Sequence, residues 1–241
     1  MNPELFGEFM GTLVLVLLGN GTVANVVLNK SKGENSGWIV ITTGFAFAVM
    51  AGVFTAIACG SPGAHINPAV TLAFAIAKSD YTNLVPYAAA QLLGAFVGAV
   101  LVWIHFMPHW AVTPDQGKKL ACFSTGPAIS NTVSNILGEL IGTALLVFLI
   151  ACVVSGKVST GLAPGLAPFL IGGLVWAIGL GLGGTTGFAI NPARDLGPRI
   201  AHAILPIAGK GSSDWGYAMV PVVGGLLGGI VAGLLISATG V

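Results

Sequence analysis

The chain has 241 residues, of which nine are Lys or Arg and eight are Asp or Glu, and its formal net charge is +1. A charged fraction of 7%, against roughly 25% in soluble domains, cannot cover the surface of a soluble protein, so the composition predicts an integral membrane protein. The apolar fraction of 55% excludes a disordered chain, and the lack of a G-X-Y period excludes a collagen-like one. The small net charge gives no indication of nucleic-acid binding.

Six apolar stretches are long enough to cross a bilayer as helices, which takes about 20 residues. In chain order they are Leu5–Leu28, Gly37–Cys59, Leu84–Pro108, Thr132–Val154, Leu162–Leu182 and Gly216–Ala238. Two further segments, Pro68–Ala77 and Pro192–Ala203, would extend only about 15–18 Å as helices. Each begins with Pro after an Asn, which is typical of a helix N-terminus. Such short helices at matching places indicate discontinuous helices that line a polar path.

The two halves of the chain match each other in sequence. Gly-Glu-Phe-Met-Gly-Thr from residue 7 recurs as Gly-Glu-Leu-Ile-Gly-Thr from residue 138, and each short helix follows a similar loop. Each half has three spans, and because three is odd the second half must enter the membrane from the opposite side. We therefore expect one domain over residues 1–241, made of inverted repeats at approximately 1–108 and 132–241 that an external loop, 109–131, connects.

Three carboxylates lie at unusual places within the apolar segments. Glu8 and Glu139 are inside their spans, where an ionisable group is costly unless it faces a protein interior or a water path. Either each carboxylate anchors a re-entrant loop by accepting its backbone N–H groups, or the pair forms a proton relay. The matched positions in the two repeats favour the anchor. Asp195, at the N-terminus of the second short helix, is predicted to hold its loop as well.

The two short helices would present donors to a solute if their N-termini meet at the bilayer midplane. Each N-terminus carries about half a positive charge and several unpaired N–H groups. We expect Asn67 and Asn191 to cap these ends with their side-chain oxygens and to donate their amide hydrogens to a passing solute. Arg194, in the first turn of the second helix, would add donors and repel cations. Such a path favours neutral hydroxyl compounds.

The extended residues before each asparagine are predicted to expose a row of carbonyl acceptors. Backbone without internal hydrogen bonds is tolerated at membrane depth only where it lines a wet cavity. These residues are Gly63, Ala64 and His65 in the first loop and Gly187, Phe188 and Ala189 in the second. We predict no metal site and no cofactor, since Cys59, Cys122 and Cys152 have no zinc or redox spacing.

Glycine pairs four residues apart recur along the spans, as small residues do where membrane helices pack closely. They are Gly7/Gly11, Gly94/Gly98, Gly138/Gly142, Gly179/Gly183 and Gly225/Gly229/Gly233. We expect them to bring helices together, either within one subunit or, for some copies, at an interface between subunits.

The chain resembles the aquaporin or major intrinsic protein family, and within it the glycerol facilitators, or aquaglyceroporins. The resemblance covers nearly the whole chain and rests on the paired glutamates and on two motifs. These are Asn67-Pro68-Ala69 after Gly-Ala-His, and Asn191-Pro192-Ala193-Arg194-Asp195. It implies an all-α membrane protein of six transmembrane helices and two re-entrant half-helices with the inverted-repeat aquaporin fold. It also implies a homotetramer in the cell membrane, with one pore per subunit.

Orientation is taken from this resemblance, which implies cytoplasmic termini. The lysines alone favour the opposite orientation, because five of the seven would lie outside. Those outer lysines would be Lys30, Lys32, Lys118, Lys119 and Lys210, and the inner ones Lys78 and Lys157.

The resemblance also implies a narrow selectivity filter, which on this chain includes Gly179, Phe188 and Arg194. Its fourth member is an aromatic residue of the second span. That residue is Phe47 by ungapped counting from Asn67, or Phe45 if the preceding loop carries two extra residues. Water-selective relatives typically have His where Gly179 stands. Glycine leaves room for the phenylalanine of the loop and favours a wider, amphipathic opening.

The outer loop departs from the family pattern at Gly126, where a Tyr usually follows Phe-Ser-Thr. This difference predicts a larger outer vestibule.

The function that the resemblance implies is a passive channel for glycerol, other small neutral solutes and water, with ions and protons excluded. Urea and neutral small organic acids are further candidate solutes, membrane lipid would surround the protein, and no enzymatic activity is expected. The main alternative is a water-dominant aquaporin, against which Gly179 argues. A secondary active transporter would need acidic groups beyond Glu8 and Glu139 for a coupling ion. An intramembrane protease using Ser61 and a histidine would need its base at a suitable position in the repeats, and no histidine stands there.

Overall fold

The computed structural model describes residues 2–158, 161–163 and 165–241, and these residues form ten helices and no strand. Met1, and Pro164 within the fifth predicted span, lie outside the described residues. The helices are α1 (Pro3–Val27), α2 (Trp38–Ala58), α3 (Pro68–Lys78), α4 (Leu84–His105), α5 (Met107–Val112), α6 (Gln116–Ala121), α7 (Thr132–Val154), α8 (Leu166–Gly181), α9 (Pro192–Ile204) and α10 (Trp215–Thr239). Helices α1, α2, α4, α7 and α10 are long and apolar enough to cross a membrane.

The fifth predicted span is shorter than expected. Residues 162–182 contain α8, which begins only at Leu166 and has 16 residues, or about 24 Å at the rise of an α-helix. Gly165, directly before it, has a φ of 82°, a left-handed conformation that a continuing helix cannot include. The helix therefore starts later than the apolar pattern indicates.

The predicted external loop contains two short helices, α5 and α6. Helix α4 ends at His105 rather than at Pro108, and Pro108 lies in the first turn of α5, a position that suits proline because no N–H is needed there. The Asp115 side chain caps α6 by accepting a hydrogen bond of 3.1 Å from the N–H of Lys118. Helices of six residues are too short to show a hydrophobic period in the sequence.

The half-helices α3 and α9 begin as predicted and end one residue later than predicted. The Asn67 side chain accepts a hydrogen bond of 2.9 Å from the N–H of Ala69. The Asn191 side chain accepts from Ala193 and Arg194, at 3.1 and 3.2 Å. With 11 and 13 residues, both helices reach through roughly half of a hydrocarbon core.

The two halves of the chain pack in corresponding ways, and the half-helix of each half packs against the other half. Helix α1 contacts α2 and α4, as α7 contacts α8 and α10. Helix α3 packs on α10 of the other half, and α9 packs on α4. The contact between α2 and α8 joins the halves further. Each half-helix is therefore held by the last long helix of the opposite half.

Glycines allow these helices to approach closely. A Cβ at Gly98 of α4 would lie 2.6 Å from the carbonyl oxygen of Leu13 in α1. A Cβ at Gly229 of α10 would lie 2.6 Å from the carbonyl oxygen of Ala69 in α3. Both distances are too short for a real side chain, so these positions need glycine if the packing is to be kept.

Candidate functional site

The first re-entrant loop, residues 61–67, is held by the wholly buried Glu8 of α1. Glu8 Oε1 accepts hydrogen bonds from Ser61 Oγ at 2.7 Å and from the N–H of His65 at 2.8 Å. Glu8 Oε2 accepts from the N–H of Ile66 at 2.6 Å and from Gln91 Nε2 at 2.8 Å. One carboxylate thus satisfies two backbone donors that have no helical partner at membrane depth.

Glu139 of α7 holds the second re-entrant loop, residues 185–191, in the same way. Its Oε1 accepts from Thr186 Oγ1 at 2.6 Å and from the N–H of Ala189 at 3.0 Å. Its Oε2 accepts from the N–H of Ile190 at 2.7 Å. Both glutamates bond the N–H groups one and two residues before an asparagine, which is the geometry of a loop anchor.

The two loops that these glutamates bond have strained backbone. Ala64 and Ile66 have φ angles of 41° and 44°, and Phe188 and Ile190 have φ angles of 39° and 42°. The left-handed conformation costs roughly 1–2 kcal/mol for a residue other than glycine and persists where the surroundings hold it. The same alternation in both loops shows that they share one conformation around different side chains.

The N-termini of the two half-helices meet, and each asparagine bonds the opposite loop. Asn67 Nδ2 donates to the carbonyl oxygen of Ile190 at 2.7 Å, and Asn191 Nδ2 donates to that of Ile66 at 2.9 Å. The sequence predicts amide groups that are free to donate to a solute. In the structure, one hydrogen of each amide joins the two loops, and the second hydrogen remains for a solute.

A cavity of about 200 Å³ follows these loops. Both asparagines and Arg194 line it, together with five of the six residues predicted to supply carbonyl groups: Gly63, Ala64, His65, Phe188 and Ala189. The sixth, Gly187, lies against the outer loop, since a Cβ there would be 3.3 Å from Thr125. The opposite wall is apolar and includes Val49, Leu146 and Val175. The cavity therefore has one polar edge and one apolar face.

The alanines and prolines of the two motifs are buried behind this cavity. A Cβ at Gly225 of α10 would lie 3.2 Å from the ring of Pro192. Ala69 and Ala193 are buried, and the carbonyl oxygen of Ala69 in α3 lies close to Gly229 of α10. The asparagines face the cavity and the residues that follow them face α10 or the protein core.

Three predicted filter residues come together at one end of the cavity. The rings of Phe45 and Phe188 meet edge to face, with centroids 5.6 Å apart at 77°. The guanidinium carbon of Arg194 lies 4.4 Å from the ring centre of Phe45, within cation–π range. Phe45 and Arg194 are 3% and 6% exposed. This group combines two apolar rings with a fixed cluster of hydrogen-bond donors.

Phe47, the alternative aromatic residue of α2, does not belong to this group. Its side chain is 55% exposed, and it does not line the cavity. Two residues along a helix differ in direction by about 200°, so Phe47 faces outward when Phe45 faces inward. Of the two candidates that the sequence left open, the geometry joins Phe45 to the arginine.

Gly179 of α8 has no side chain and so leaves space for the ring of Phe188. A Cβ at this position would lie 3.1 Å from Cε2 and Cζ of Phe188 and 3.0 Å from Cγ2 of Thr42. Gly179 itself does not line the cavity. A side chain here would push the ring of Phe188 away from its present place.

A buried ion pair ties the second half-helix to the loop that connects the two halves of the chain, residues 109–131. Asp195 Oδ2 accepts from the N–H and the hydroxyl of Thr125, both at 2.7 Å, and its Oδ1 accepts from Arg199 Nε at 2.9 Å. Arg199 also donates to the carbonyl oxygens of Thr125, Ser213 and Asp214. Neither Arg199 nor Thr125 is among the site residues predicted from the sequence, although the spacing of Asp195 and Arg199 is that of a helical ion pair.

The site has the features of a membrane channel. Two half-helices meet head to head, strained loops line a cavity with one polar edge, and an arginine with two aromatic rings stands at its end. Among the described residues, no group of three His, Cys, Asp or Glu side chains could hold a metal ion.

Comparison with known proteins gives the family. The family model described as Major intrinsic protein matches residues 2–236, and the chain belongs to the major intrinsic protein family. It is 52% identical over 233 residues to Glycerol uptake facilitator protein 3 of Lactiplantibacillus plantarum, covering 96% of this chain and 95% of that protein. It is 53% identical over 229 residues to the Probable glycerol uptake facilitator protein of Thermotoga maritima, covering 95% of each.

The fold agrees with a solved structure of the same family. The X-ray structure of the aquaglyceroporin from Plasmodium falciparum superposes with a TM-score of 0.83 at 29% sequence identity. The match covers 98% of this chain and 95% of that one. The predicted family and fold class are therefore confirmed, and the chain is an integral membrane protein of the channel type.

Proposed function

We propose that this chain is a passive channel that lets glycerol, other small neutral solutes and water diffuse across the membrane and excludes ions and protons. The observation that carries the proposal is the group of Phe45, Phe188 and Arg194, with Gly179 behind it. Two relatives that share about half of their residues with this chain are named as glycerol uptake facilitators, one of them as probable.

The two faces of the cavity suit the two faces of glycerol. Glycerol has three hydroxyl groups along one edge of a short carbon chain and only C–H groups on the other. The hydroxyl groups would exchange among Arg194, the remaining hydrogens of Asn67 and Asn191, and the loop carbonyl groups. The C–H surface would pass along Phe45 and Phe188. Conduction needs such weak, repeated contacts rather than one tight site.

Ion and proton exclusion follows from the charges around the two asparagines. The N-termini of α3 and α9 each contribute about half a positive charge, and Arg194 adds a full charge at the filter. A cation would have to leave water and pass all three. A neutral solute is not repelled by these charges. Its oxygens instead accept hydrogen bonds from the same groups.

The remaining features of the proposal come from the family resemblance. We propose one channel domain of two inverted repeats, with Glu8, Glu139 and Asp195 as loop anchors. Further proposals are a homotetramer with one pore per subunit, surrounded by membrane lipid, cytoplasmic termini and a cell-membrane location. Urea and neutral small organic acids are further candidate solutes. The alternative, a water-dominant channel, would require a narrower filter than the space beside Gly179 favours.

The proposal is tested by light scattering of proteoliposomes that contain the protein. After a step to external glycerol, vesicles shrink as water leaves and re-swell as glycerol enters. We expect fast re-swelling, and vesicles that stay shrunken like empty ones would contradict the proposal. Fast water flux without re-swelling would instead support the water-dominant alternative. Glycerol accumulation against its gradient, driven by a pH difference, would indicate a coupled transporter.

A further inference from the structure

Trp38, the first residue of α2, forms a hydrogen bond to the filter region although it does not line the cavity. Its indole Nε1 donates a hydrogen bond of 3.1 Å to the carbonyl oxygen of Gly179. Gly179 lies in the last turn of α8, where carbonyl groups have no partner within the helix. The side chain of Trp38 thus joins the start of α2 to the end of α8, beside the glycine that leaves space for Phe188.

The same indole ring packs against Phe188. The ring centroids of Trp38 and Phe188 are 5.6 Å apart at 80°, and those of Phe45 and Phe188 are 5.6 Å apart at 77°. Both are edge-to-face contacts, which aromatic pairs favour. The ring of Phe188 is therefore held between two other rings, and one of them, Phe45, also lies within cation–π range of Arg194.

Gly183 makes this contact possible. A Cβ at Gly183 would lie 2.6 Å from Cδ1 of Phe188 and 2.8 Å from Cζ2 of Trp38. The absence of a side chain lets both rings meet over the turn that follows α8. Gly179 and Gly183 together leave the space into which Phe188 fits, and Trp38 closes that space.

We propose that Trp38 is a positioning residue for selectivity: its indole holds Phe188 against the filter and thereby sets the largest solute that passes. This inference rests on the proposed channel function. Trp38 acts through Phe188, since it does not line the cavity. Without the indole, the ring of Phe188 loses one of its two aromatic neighbours, and Gly179 loses the donor to its carbonyl oxygen. The filter should then let larger solutes pass more readily.

The test compares Trp38→Leu and Trp38→Phe with the wild type in proteoliposomes, using water, glycerol and a five-carbon linear polyol. We expect Trp38→Leu to raise the permeability ratio of the polyol to glycerol by about fivefold, the factor that corresponds to the loss of one ordinary hydrogen bond or ring contact. Trp38→Phe keeps a ring beside Phe188 and loses the N–H, so its ratio should lie between the other two. It also provides a folded variant if the leucine variant is not stable.

Trp176→Leu is the matched control, because Trp176 of α8 is 40% exposed, as Trp38 is, and does not line the cavity. Its permeability ratios should equal those of the wild type. An equal loss of flux for all three solutes in the Trp38 variants would reduce Trp38 to a structural role and overturn the inference.

The failure of the proposed function is a separate outcome of the same experiment. If the wild type passes water but no glycerol, the glycerol proposal is wrong, and the positioning role still requires Trp38→Leu to raise the ratio of glycerol to water. If that ratio also stays unchanged, the inference is wrong as well. A wild type that passes none of the three solutes contradicts both.

Discussion

The two re-entrant loops share one backbone and one kind of anchor, but they carry different side chains at the same distances from their asparagines. Three residues before the asparagine stand Ala64 in the first loop and Phe188 in the second, with almost equal φ angles. Three residues after it stand Val70 and Arg194. The difference separates two tasks: the glutamates build both loops, and only the second loop carries the proposed filter.

The fourth residue after each asparagine extends this contrast. Thr71 Oγ1 accepts a hydrogen bond of 3.1 Å from Gln91 Nε2, and both of these groups are uncharged. Asp195, at the corresponding position, forms a buried ion pair with Arg199 and bonds the outer loop through Thr125. The half-helix that carries the filter arginine is thus tied by charge, whereas its counterpart is tied by neutral groups.

The largest effect is expected at this fourth position. Asp195→Asn leaves the wholly buried Arg199 without its counter-charge, which costs about 3–5 kcal/mol in buried pairs. Thr71→Val removes neutral hydrogen bonds and should cost roughly 1 kcal/mol. We therefore expect a much larger fall in the thermal unfolding midpoint of the purified protein for Asp195→Asn. Equal falls in the unfolding midpoints of Asp195→Asn and Thr71→Val would contradict this contrast between the two half-helices.

The next effect distinguishes the two anchors. Glu139→Gln replaces one carboxylate oxygen by an NH2 group, which cannot accept a hydrogen bond from a loop N–H, at a cost of roughly 1.5–3 kcal/mol for a bond to a charged group. Glu8→Gln should cost less, because Gln91 Oε1 has no hydrogen-bond partner among the described residues. If the Gln91 amide turns over, its Oε1 accepts a hydrogen bond from the new amide group at position 8. The unfolding midpoints check this order, and a lower midpoint for Glu8→Gln than for Glu139→Gln would contradict it.

A third variant gives the first loop the aromatic residue of the second. Ala64→Phe places a ring where the φ of 41° matches that of Phe188, so the backbone can accept it. Because Ala64 lines the cavity, we expect a several-fold loss of glycerol flux with a smaller loss of water flux. Ala64→Ser is the control and should conduct as the wild type does. Unchanged glycerol flux in Ala64→Phe would show that passage does not follow this loop.

The smallest effect is expected at the outer loop. A Cβ at Gly126 meets no atom within 4 Å, so Gly126→Tyr should fold with an unchanged unfolding midpoint. The larger side chain should reduce the flux of a five-carbon polyol modestly and leave water flux as it was. A strong loss of water flux would place Gly126 at the narrow part of the path rather than at an open vestibule.

Much of the architecture could be predicted because its signals are local. Asn before Pro marked both half-helices, and their N-termini lie where the sequence indicated. The paired glutamates indicated loop anchors because an isolated carboxylate is costly in an apolar span. By contrast, α5 and α6 are too short to show a period, and the late start of α8 depends on the conformation of Gly165.

The parts of the site that escaped prediction depend on contacts between distant segments. The choice between Phe45 and Phe47 requires the direction of each side chain from α2, which counting along the chain cannot supply. The bond from Trp38 to Gly179 joins residues 141 positions apart. The use of one amide hydrogen of each asparagine to join the loops likewise requires the two half-helices to have met.

The central claim is that Phe188 of the second loop, in the space that Gly179 of α8 leaves for its ring, determines whether glycerol passes. The direct measurement is the permeability of glycerol and water, side by side, for the wild type and for Gly179→His combined with Phe188→Cys. We expect the double variant to lose far more glycerol flux than water flux, since the imidazole would fill the space that glycine leaves. Equal losses of both fluxes would contradict the assignment of the filter to these two residues.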